Sequence, residues 1–199
     1  VGYARVAGNA NYRAAMWIGT SVLDLGSLAG EAGNSQANAV TDDDMAFGFS
    51  DAEQGLPAPA LWGYRGIPVP LATLDTESAQ VLAVNRDLVA VGSVRPIGQE
   101  DQAALFMVES QYAPLGRLTG DISSKTLAIN NRNIAVGYSK RNNTTIRAVV
   151  WNLNGSGGPL DLNTLLPAGS SWQLQVATAI NDRGWIAGWG LYNGSRRAF

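Results

Sequence analysis

The sequence AINNRNIAVG at residues 128–137 decides the fold. It holds two short apolar runs that are separated by four polar residues, 130–133. An asparagine at the first turn position can hydrogen-bond to the backbone two residues further on. The fourth turn residue, Asn133, is of a type that tolerates the left-handed conformation closing a tight hairpin. The stretch therefore predicts two antiparallel strands joined by a four-residue turn.

The same pattern recurs along the whole chain about every 45 residues, a period typical of propeller repeats. A β-branched residue lies eight positions before a glycine in four copies: Val40 and Gly48, Val84 and Gly92, Ile129 and Gly137, Ile180 and Gly188. Gly2 opens the series, and an aromatic residue follows each of the first four glycines by 14 or 15 positions: Trp17, Trp62, Phe106 and Trp151. Paired leucines come next: Leu25 and Leu28, Leu71 and Leu74, Leu115 and Leu118, Leu162 and Leu165. Such regularity identifies a tandem repeat.

Each period contains four short apolar runs bounded by turn residues, and none has the apolar spacing of a helix. We predict an all-β single domain over residues 1–199, a β-propeller of four-stranded antiparallel blades with about 45 residues per blade. It holds four full repeats plus part of a fifth, near 1–38, 39–82, 83–127, 128–178 and 179–199. The first and last blades each lack a strand, and no helix exceeds about two turns.

Three expectations concern packing and turns. The repeated glycine predicts either a strand near the crowded axis of the blades or a close approach of two backbones. Stacked blades predict eight largely buried residues: Trp17, Val40, Trp62, Val84, Phe106, Ile129, Trp151 and Ile180. Leu88 holds the fourth turn position of its period, which suits glycine, asparagine or aspartate, so its hairpin is predicted to close differently.

Composition excludes several classes of function. Charged residues make up 15% of the chain and the net charge is −2, which predicts no nucleic-acid partner. No apolar run is long enough to span a membrane. The absence of histidine and cysteine removes the commonest general base and metal ligands, so no cofactor is expected. The chain opens on Val1 inside a strand pattern, which predicts a cleaved mature form or a fragment.

These motifs resemble the HAF-type probable extracellular repeats. The resemblance lies in Ala128-Ile129-Asn130 with Val136-Gly137-Tyr138, in Arg147-Ala148-Val149-Val150-Trp151, and in Leu23-Asp24-Leu25-Gly26-Ser27-Leu28. It covers essentially the whole chain. Where the family carries a histidine, this chain has Arg13, Gln102, Arg147 and Arg197. The resemblance implies export from a bacterial cell and a propeller-like architecture, and no general activity.

The acidic residues offer two candidate sites. Asp42, Asp43 and Asp44 suggest calcium, but three consecutive carboxylates lack the alternating ligands of a calcium loop, so a solvated hairpin is favoured. Asp24 and Asp161 are the one repeat-equivalent acidic pair. Glycoside cleavage would need two converging carboxylates, so a structural role at a turn or edge is favoured.

The aromatic residues offer two more. The repeated Trp17, Trp62, Phe106 and Trp151 could form a sugar-stacking platform, although their regularity favours core packing. Trp172 and Tyr192 lie outside the repeat and are better surface-binding candidates. Trp172 follows residues 166–171, an insertion of the kind that carries function on repeat scaffolds or is simply tolerated at the surface. Four glycosylation-type sequences, starting at Asn142, Asn143, Asn154 and Asn193, would mark exposed loops in a eukaryotic secretory protein.

From these observations we expect a non-enzymatic, extracellular, secreted bacterial protein that acts in binding or in structural self-assembly, as a filament, surface layer or adhesion protein. The alternatives are a lectin-like carbohydrate-binding module and an exported carbohydrate-active enzyme. Expected partners are another copy, through open strand edges, and a glycan or cell-surface ligand. Catalytic, cofactor and metal residues are not predicted, and the ligand-binding residues are left open. The ends are predicted either to close one ring or to pair between molecules.

Overall fold

The computed structural model describes residues 1–5, 8, 10–52, 55–63, 66–71, 76–107, 112–155 and 158–199. These residues form 18 strands in five separate antiparallel sheets.

Sheet 1 contains β1 (Gly2–Arg5), β2 (Tyr12–Ile18) and β3 (Ser21–Gly26). Sheet 2 contains β4 (Ser35–Val40), β5 (Ala46–Asp51), β6 (Pro57–Trp62) and β7 (Pro68–Pro70). Sheet 3 contains β8 (Thr76–Val84), β9 (Ala90–Pro96), β10 (Gln102–Phe106) and β11 (Ala113–Pro114). Sheet 4 contains β12 (Ser123–Ile129), β13 (Ile134–Lys140), β14 (Ile146–Asn152) and β15 (Leu160–Asp161). Sheet 5 contains β16 (Trp172–Ile180), β17 (Ile186–Tyr192) and β18 (Ser195–Ala198). The predicted all-β fold is confirmed.

Strands pair in chain order within every sheet. The repeated glycine lies in the second strand of sheets 2 to 5 and in β1 of sheet 1. Among the described residues, sheet 1 therefore lacks a counterpart of the first strand, and sheet 5 lacks a counterpart of the fourth. The two three-stranded end sheets agree with the prediction that the first and last blades each lack a strand, but three described sheets have four strands rather than the four full repeats predicted. The predicted repeat boundaries fall inside β4, β8, β12 and β16. The sequence repeat was divided just before the hairpin turn, near the end of each sheet's first strand, whereas the sheet itself includes the whole of that strand.

The turn between the first two strands closes in the same way in sheets 2 to 5. In sheet 4 the Asn133 N–H donates to the Asn130 carbonyl at 3.1 Å. The Asn130 Oδ1 also accepts from the N–H groups of Arg132 and Ile134, both at 3.0 Å. Asn85 and Asn181 make the same side-chain bonds in sheets 3 and 5. The first turn residue thus holds the hairpin by satisfying two backbone donors.

Leu88 does not alter its hairpin, so that prediction is wrong. Its φ of 60° is close to 57° at Asp44 and 58° at Asn133. Its N–H donates to the Asn85 carbonyl at 3.1 Å, as in the other turns. Placing a branched side chain in the left-handed region costs about 1–2 kcal/mol. The bonds to the Asn85 side chain offset this cost, so the first turn residue sets the closure rather than the fourth.

The turns of sheets 3, 4 and 5 are also bonded to one another. The Asn85 Nδ2 donates to the Asn130 carbonyl at 3.2 Å, and the Asn130 Nδ2 donates to the Asn181 carbonyl at 3.0 Å. Beside them, the Asn131 N–H and Nδ2 donate to the Asp182 carboxylate, both at 2.8 Å. These two bonds lower the pKa of Asp182. A ladder of amides therefore runs along one end of the row of sheets.

A close approach of two backbones explains the repeated glycine. In sheet 4 the pairing of β12 with β13 is interrupted by a bulge between Thr126 and Ala128. At this bulge a Cβ on Gly137 would overlap the Lys125 carbonyl oxygen and would lie 3.0 Å from the Thr126 Cα. The equivalent overlap arises at Gly48, Gly92 and Gly188. The predicted close approach is confirmed.

Each sheet packs on the next through an apolar cluster, so the five sheets form a row. The clusters between sheets 1 and 2, 2 and 3, and 3 and 4 contain Trp62, Phe106 and Trp151 respectively. The cluster between sheets 4 and 5 contains Leu174. None of these clusters of described residues joins sheet 1 to sheet 5.

Four of the eight predicted core residues are buried: Trp62, Phe106, Ile129 and Trp151. Val84 and Ile180 are partly buried. Trp17 is 49% exposed and Val40 is 46% exposed, so the prediction is wrong for these two residues. Their equivalents face the preceding sheet. No described sheet precedes Trp17, and sheet 1 has no described first strand that would cover Val40.

Two 3-10 segments, Gly30–Ala32 and Leu162–Leu165, are the only helical turns in the described part of the chain. The prediction of no helix longer than about two turns therefore holds for those residues. Among them, no helix has both the length and the apolar character that crossing a membrane requires.

Candidate functional site

The acidic triplet lies at the tip of the turn between β4 and β5. Asp42, Asp43 and Asp44 are all exposed. The turn is closed by the Asp44 N–H to the Thr41 carbonyl at 3.1 Å. No group of three or more acidic side chains in the described ranges is arranged to hold a metal ion. The triplet has the geometry of a solvated hairpin.

The repeat-equivalent acids meet the repeat-equivalent arginines. Arg13 Nε lies 3.4 Å from the Asp24 Oδ1 in sheet 1, and Arg147 Nη1 lies 3.5 Å from the Asp161 Oδ2 in sheet 4. Asp24 and Asp161 thus lie in different sheets, each beside its own arginine. Arg13 and Arg147 therefore bridge the third and fourth strands of these two sheets.

The insertion at residues 166–171 forms one wall of a groove between sheets 4 and 5. The groove encloses about 460 Å³. The insertion contributes Pro167 and Ser170, and β16 contributes residues 172–175. The opposite wall consists of residues 144–147, at the start of β14. The predicted binding residue Trp172 therefore lies beside a cavity of the size that holds small ligands.

The charges of this groove are balanced within the protein. Its charged lining residues are Arg147 and Asp161, which contact each other. Arg147 Nη2 also donates to the Asp121 Oδ1 at 2.6 Å, and the Asp121 side chain is fully buried. The Ser139 hydroxyl donates to the other Asp121 oxygen at 2.7 Å. Arg147 is thus held in place by two carboxylates and adds no net charge to the groove.

Trp172 is held by two neighbouring aromatic rings. Its ring centroid lies 5.1 Å from that of Tyr192 in a tilted arrangement and 6.3 Å from that of Phe199 in an edge contact. The Asn163 side chain fixes the adjacent strand, because it accepts from the Leu174 N–H at 2.7 Å and donates to the Leu174 carbonyl at 2.9 Å. Trp172 and Tyr192, which were selected separately from the sequence, are therefore in contact.

The polar side chains of β16 remain available at the groove. Gln173 is exposed and Gln175 is partly buried. Both line the groove, and neither forms a side-chain hydrogen bond with the rest of the described chain. Trp172 and Gln173 are successive residues of regularly paired strand, so their side chains point to opposite faces of β16. Gln175 is therefore the amide that can act together with the indole ring of Trp172 on a ligand.

Sequence reasoning did not find Asp121 or the role of Arg147. Asp121 has no acidic counterpart in the other periods, so the repeat carries no signal for it. Of the predicted glycosylation-type positions, Asn142 and Asn154 lie in exposed turns and Asn193 has a φ of 48°. No protein-family model and no curated protein matches the chain, and membership of the HAF-type repeats stays a prediction.

Proposed function

We propose that this chain is a non-enzymatic, extracellular repeat protein that acts by binding a neutral, hydroxyl-rich ligand such as a saccharide. The observation that carries the proposal is the groove between sheets 4 and 5, where the insertion places Trp172 beside a free amide group. Shallow polar clefts with one aromatic face suit sugars, whose rings present both apolar C–H faces and hydroxyl groups.

The charge of the groove favours a neutral ligand over an anion. The Arg147 guanidinium is already bonded to Asp121 and lies beside Asp161. An anionic ligand would have to compete with these two carboxylates. The Gln175 amide offers both donors and an acceptor, which matches hydroxyl groups that donate and accept.

The same bonds favour binding over glycoside cleavage. Asp121 and Asp161 are the carboxylates closest to the groove's arginine, and both are bonded to it or lie against it. Such cleavage requires one carboxyl group to act as a proton donor. Both carboxylates are engaged by Arg147, so neither is free to act on a bound ligand.

We also propose that the five sheets are blades of a β-propeller. Each contains three or four short antiparallel strands in chain order, and each packs face to face on the next. This is how propeller blades are built and stacked. Export from a bacterial cell belongs to the proposal through the HAF-type resemblance.

A glycan array followed by titration calorimetry tests the binding proposal. We expect a saccharide to bind, and Trp172→Ala to weaken it roughly threefold to tenfold, the equivalent of about 0.5–1.5 kcal/mol of aromatic contact. Gln175→Ala should also weaken binding, because Gln175 lines the groove and its side chain makes no hydrogen bond with the rest of the described chain.

Trp185→Ala is the matched control, because Trp185 is a 74% exposed tryptophan of the same sheet that does not line the groove. Equal loss of binding in Trp172→Ala and Trp185→Ala would contradict the assignment of the site. Release of reducing sugar from the bound saccharide would contradict the non-enzymatic assignment. Structural self-assembly is the second candidate function, and the exposed faces of sheets 1 and 5 favour it.

A further inference from the structure

Every contact between neighbouring sheets uses the same pair of faces. The trailing face of a sheet is the one that contacts the following sheet, and the leading face is the one that contacts the preceding sheet. The trailing faces present an apolar residue just before the repeated glycine: Phe47, Val91 and Val136. They also present an alanine of the third strand: Ala14, Ala103 and Ala148. All six residues are fully buried.

The leading faces present a large aromatic residue at one repeated position. Trp62, Phe106 and Trp151 occupy it in sheets 2, 3 and 4, and all are at most 2% exposed. Trp62 packs in one cluster with Ala14, and Trp151 packs in one cluster with Ala103. At these two contacts a large ring on the leading face therefore packs with an alanine of the trailing face. Between sheets 2 and 3 the ring of Phe106 packs in one cluster with Phe47.

Sheet 5 has its trailing face exposed. Ala187 and Ala198 stand at the two trailing positions, and both are exposed, unlike their buried counterparts. Trp185 extends this face, since its counterparts Met45 and Val89 pack on the clusters toward the next sheet. This part of the face is apolar and exposed within the described residues, and beside it the Arg196 guanidinium lies 3.9 Å from the centroid of the Trp189 ring.

Sheet 1 has its leading face exposed. Trp17 occupies the repeated aromatic position and lies over the backbone of Gly2, where an added Cβ would be 3.4 Å from its ring. Val22 pairs directly with Trp17 across β2 and β3, and it is 56% exposed. The ring that is buried in sheets 2 to 4 is thus half-exposed in sheet 1.

We propose that the leading face of sheet 1 binds the trailing face of sheet 5 of a second copy, with Trp17 packing against Ala187 and Ala198. The contact would continue the interface that already joins the five sheets. The two faces differ, so the association is head to tail, and it gives a closed ring of copies or a filament. The proposal concerns the two faces and does not depend on ligand binding in the groove.

Sedimentation velocity of the 199-residue protein without ligand tests it. We expect the mean mass to rise above 21.0 kDa with concentration. Trp17→Ala should weaken association at least about tenfold, as for other buried aromatic anchors. Ala187→Arg should abolish it by placing a long side chain where Trp17 would pack, and because Ala187 is exposed the monomer should stay folded.

A mixing experiment tests the head-to-tail geometry. The Trp17→Ala protein keeps an intact trailing face, and the Ala187→Arg protein keeps an intact leading face. An equimolar mixture should form dimers and nothing larger, because only one interface can form. Ile97→Ser is the control, since Ile97 is a 71% exposed apolar residue in the hairpin between β9 and β10, outside both faces.

Three results would overturn the proposal. The first is a mass that stays at 21.0 kDa at every concentration. The second is a loss of association in Ile97→Ser equal to that in Trp17→Ala, which would indicate non-specific apolar contact. The third is a mixture that forms no dimers although wild type associates, which would exclude a contact between two different faces. If Trp172→Ala loses saccharide binding but associates normally, the result concerns the groove only and does not contradict this proposal.

Discussion

Replacing Gly137 with alanine should break the bulged pairing between β12 and β13. The added Cβ would overlap the Lys125 carbonyl oxygen and would lie 3.0 Å from both the Lys125 carbonyl carbon and the Thr126 Cα. These are backbone atoms of a paired strand, so they cannot rotate away. Separating the strands by about 1 Å would stretch the flanking hydrogen bonds beyond useful length. Losing two to four bonds of about 1 kcal/mol each predicts a cost of roughly 2–4 kcal/mol.

Gly2→Ala is the matched control, because Gly2 is the repeat equivalent in sheet 1, where no first strand is described. Its Cβ would meet only the Trp17 ring, at 3.4 Å. We expect its free energy of unfolding to change by less than about 0.5 kcal/mol. Urea denaturation followed by far-UV circular dichroism measures both variants at low protein concentration. A cost for Gly137→Ala below about 1 kcal/mol, or equal to that of Gly2→Ala, would refute the steric explanation.

Two further predictions concern stability. Trp151→Ala should cost about 3–5 kcal/mol of unfolding free energy, and Trp17→Ala about half as much, because only Trp151 is fully buried. Urea titrations at low protein concentration measure both costs, and equal values would contradict this dependence on burial. Asp182→Ala should destabilise the protein at neutral pH more than Asp42→Ala, which removes the equivalent turn carboxylate of sheet 2. The folded pKa of Asp182 lies below its usual 3.8, so its contribution is present above that pH and is lost as pH falls through the folded value. Thermal unfolding from about pH 7 to pH 2 should show the two variants converging with wild type at the acidic end, and a gap that persists there would exclude the carboxylate as its cause.

Local features of the chain were predictable because the forces that fix them are local. The Asn130 side chain bonds to N–H groups two and four residues away, so the sequence AINNRN carries the whole hairpin turn. The glycine eight residues after each β-branched residue predicted a close approach of two backbones, and the structure places that approach at the bulge of the paired strand. Leu88 was misjudged because backbone preference at one position is weaker than the two bonds made by Asn85.

Features that depend on neighbouring sheets were predictable only in part. Trp17 and Trp62 have the same place in the repeat, and their burial differs only because a sheet covers Trp62. The insertion at residues 166–171 makes its repeat longer than the others, and this difference in length indicated Trp172 as a candidate binding residue. The bond from Arg147 to Asp121 joins residues 26 positions apart in sequence, and neither composition nor spacing marks it.

In the ladder of turn amides, the oxygen and the nitrogen of one asparagine side chain bond to two different turns. In Asn130 the oxygen closes the hairpin of sheet 4, while the nitrogen holds the neighbouring turn of sheet 5. Hydrolysis of that amide to a carboxylate, the common chemical ageing of asparagine, would keep the acceptor and remove the donor. A carboxylate oxygen would then face the Asn181 carbonyl and repel it. An aged molecule would therefore retain each hairpin while its stacked sheets loosen along one end.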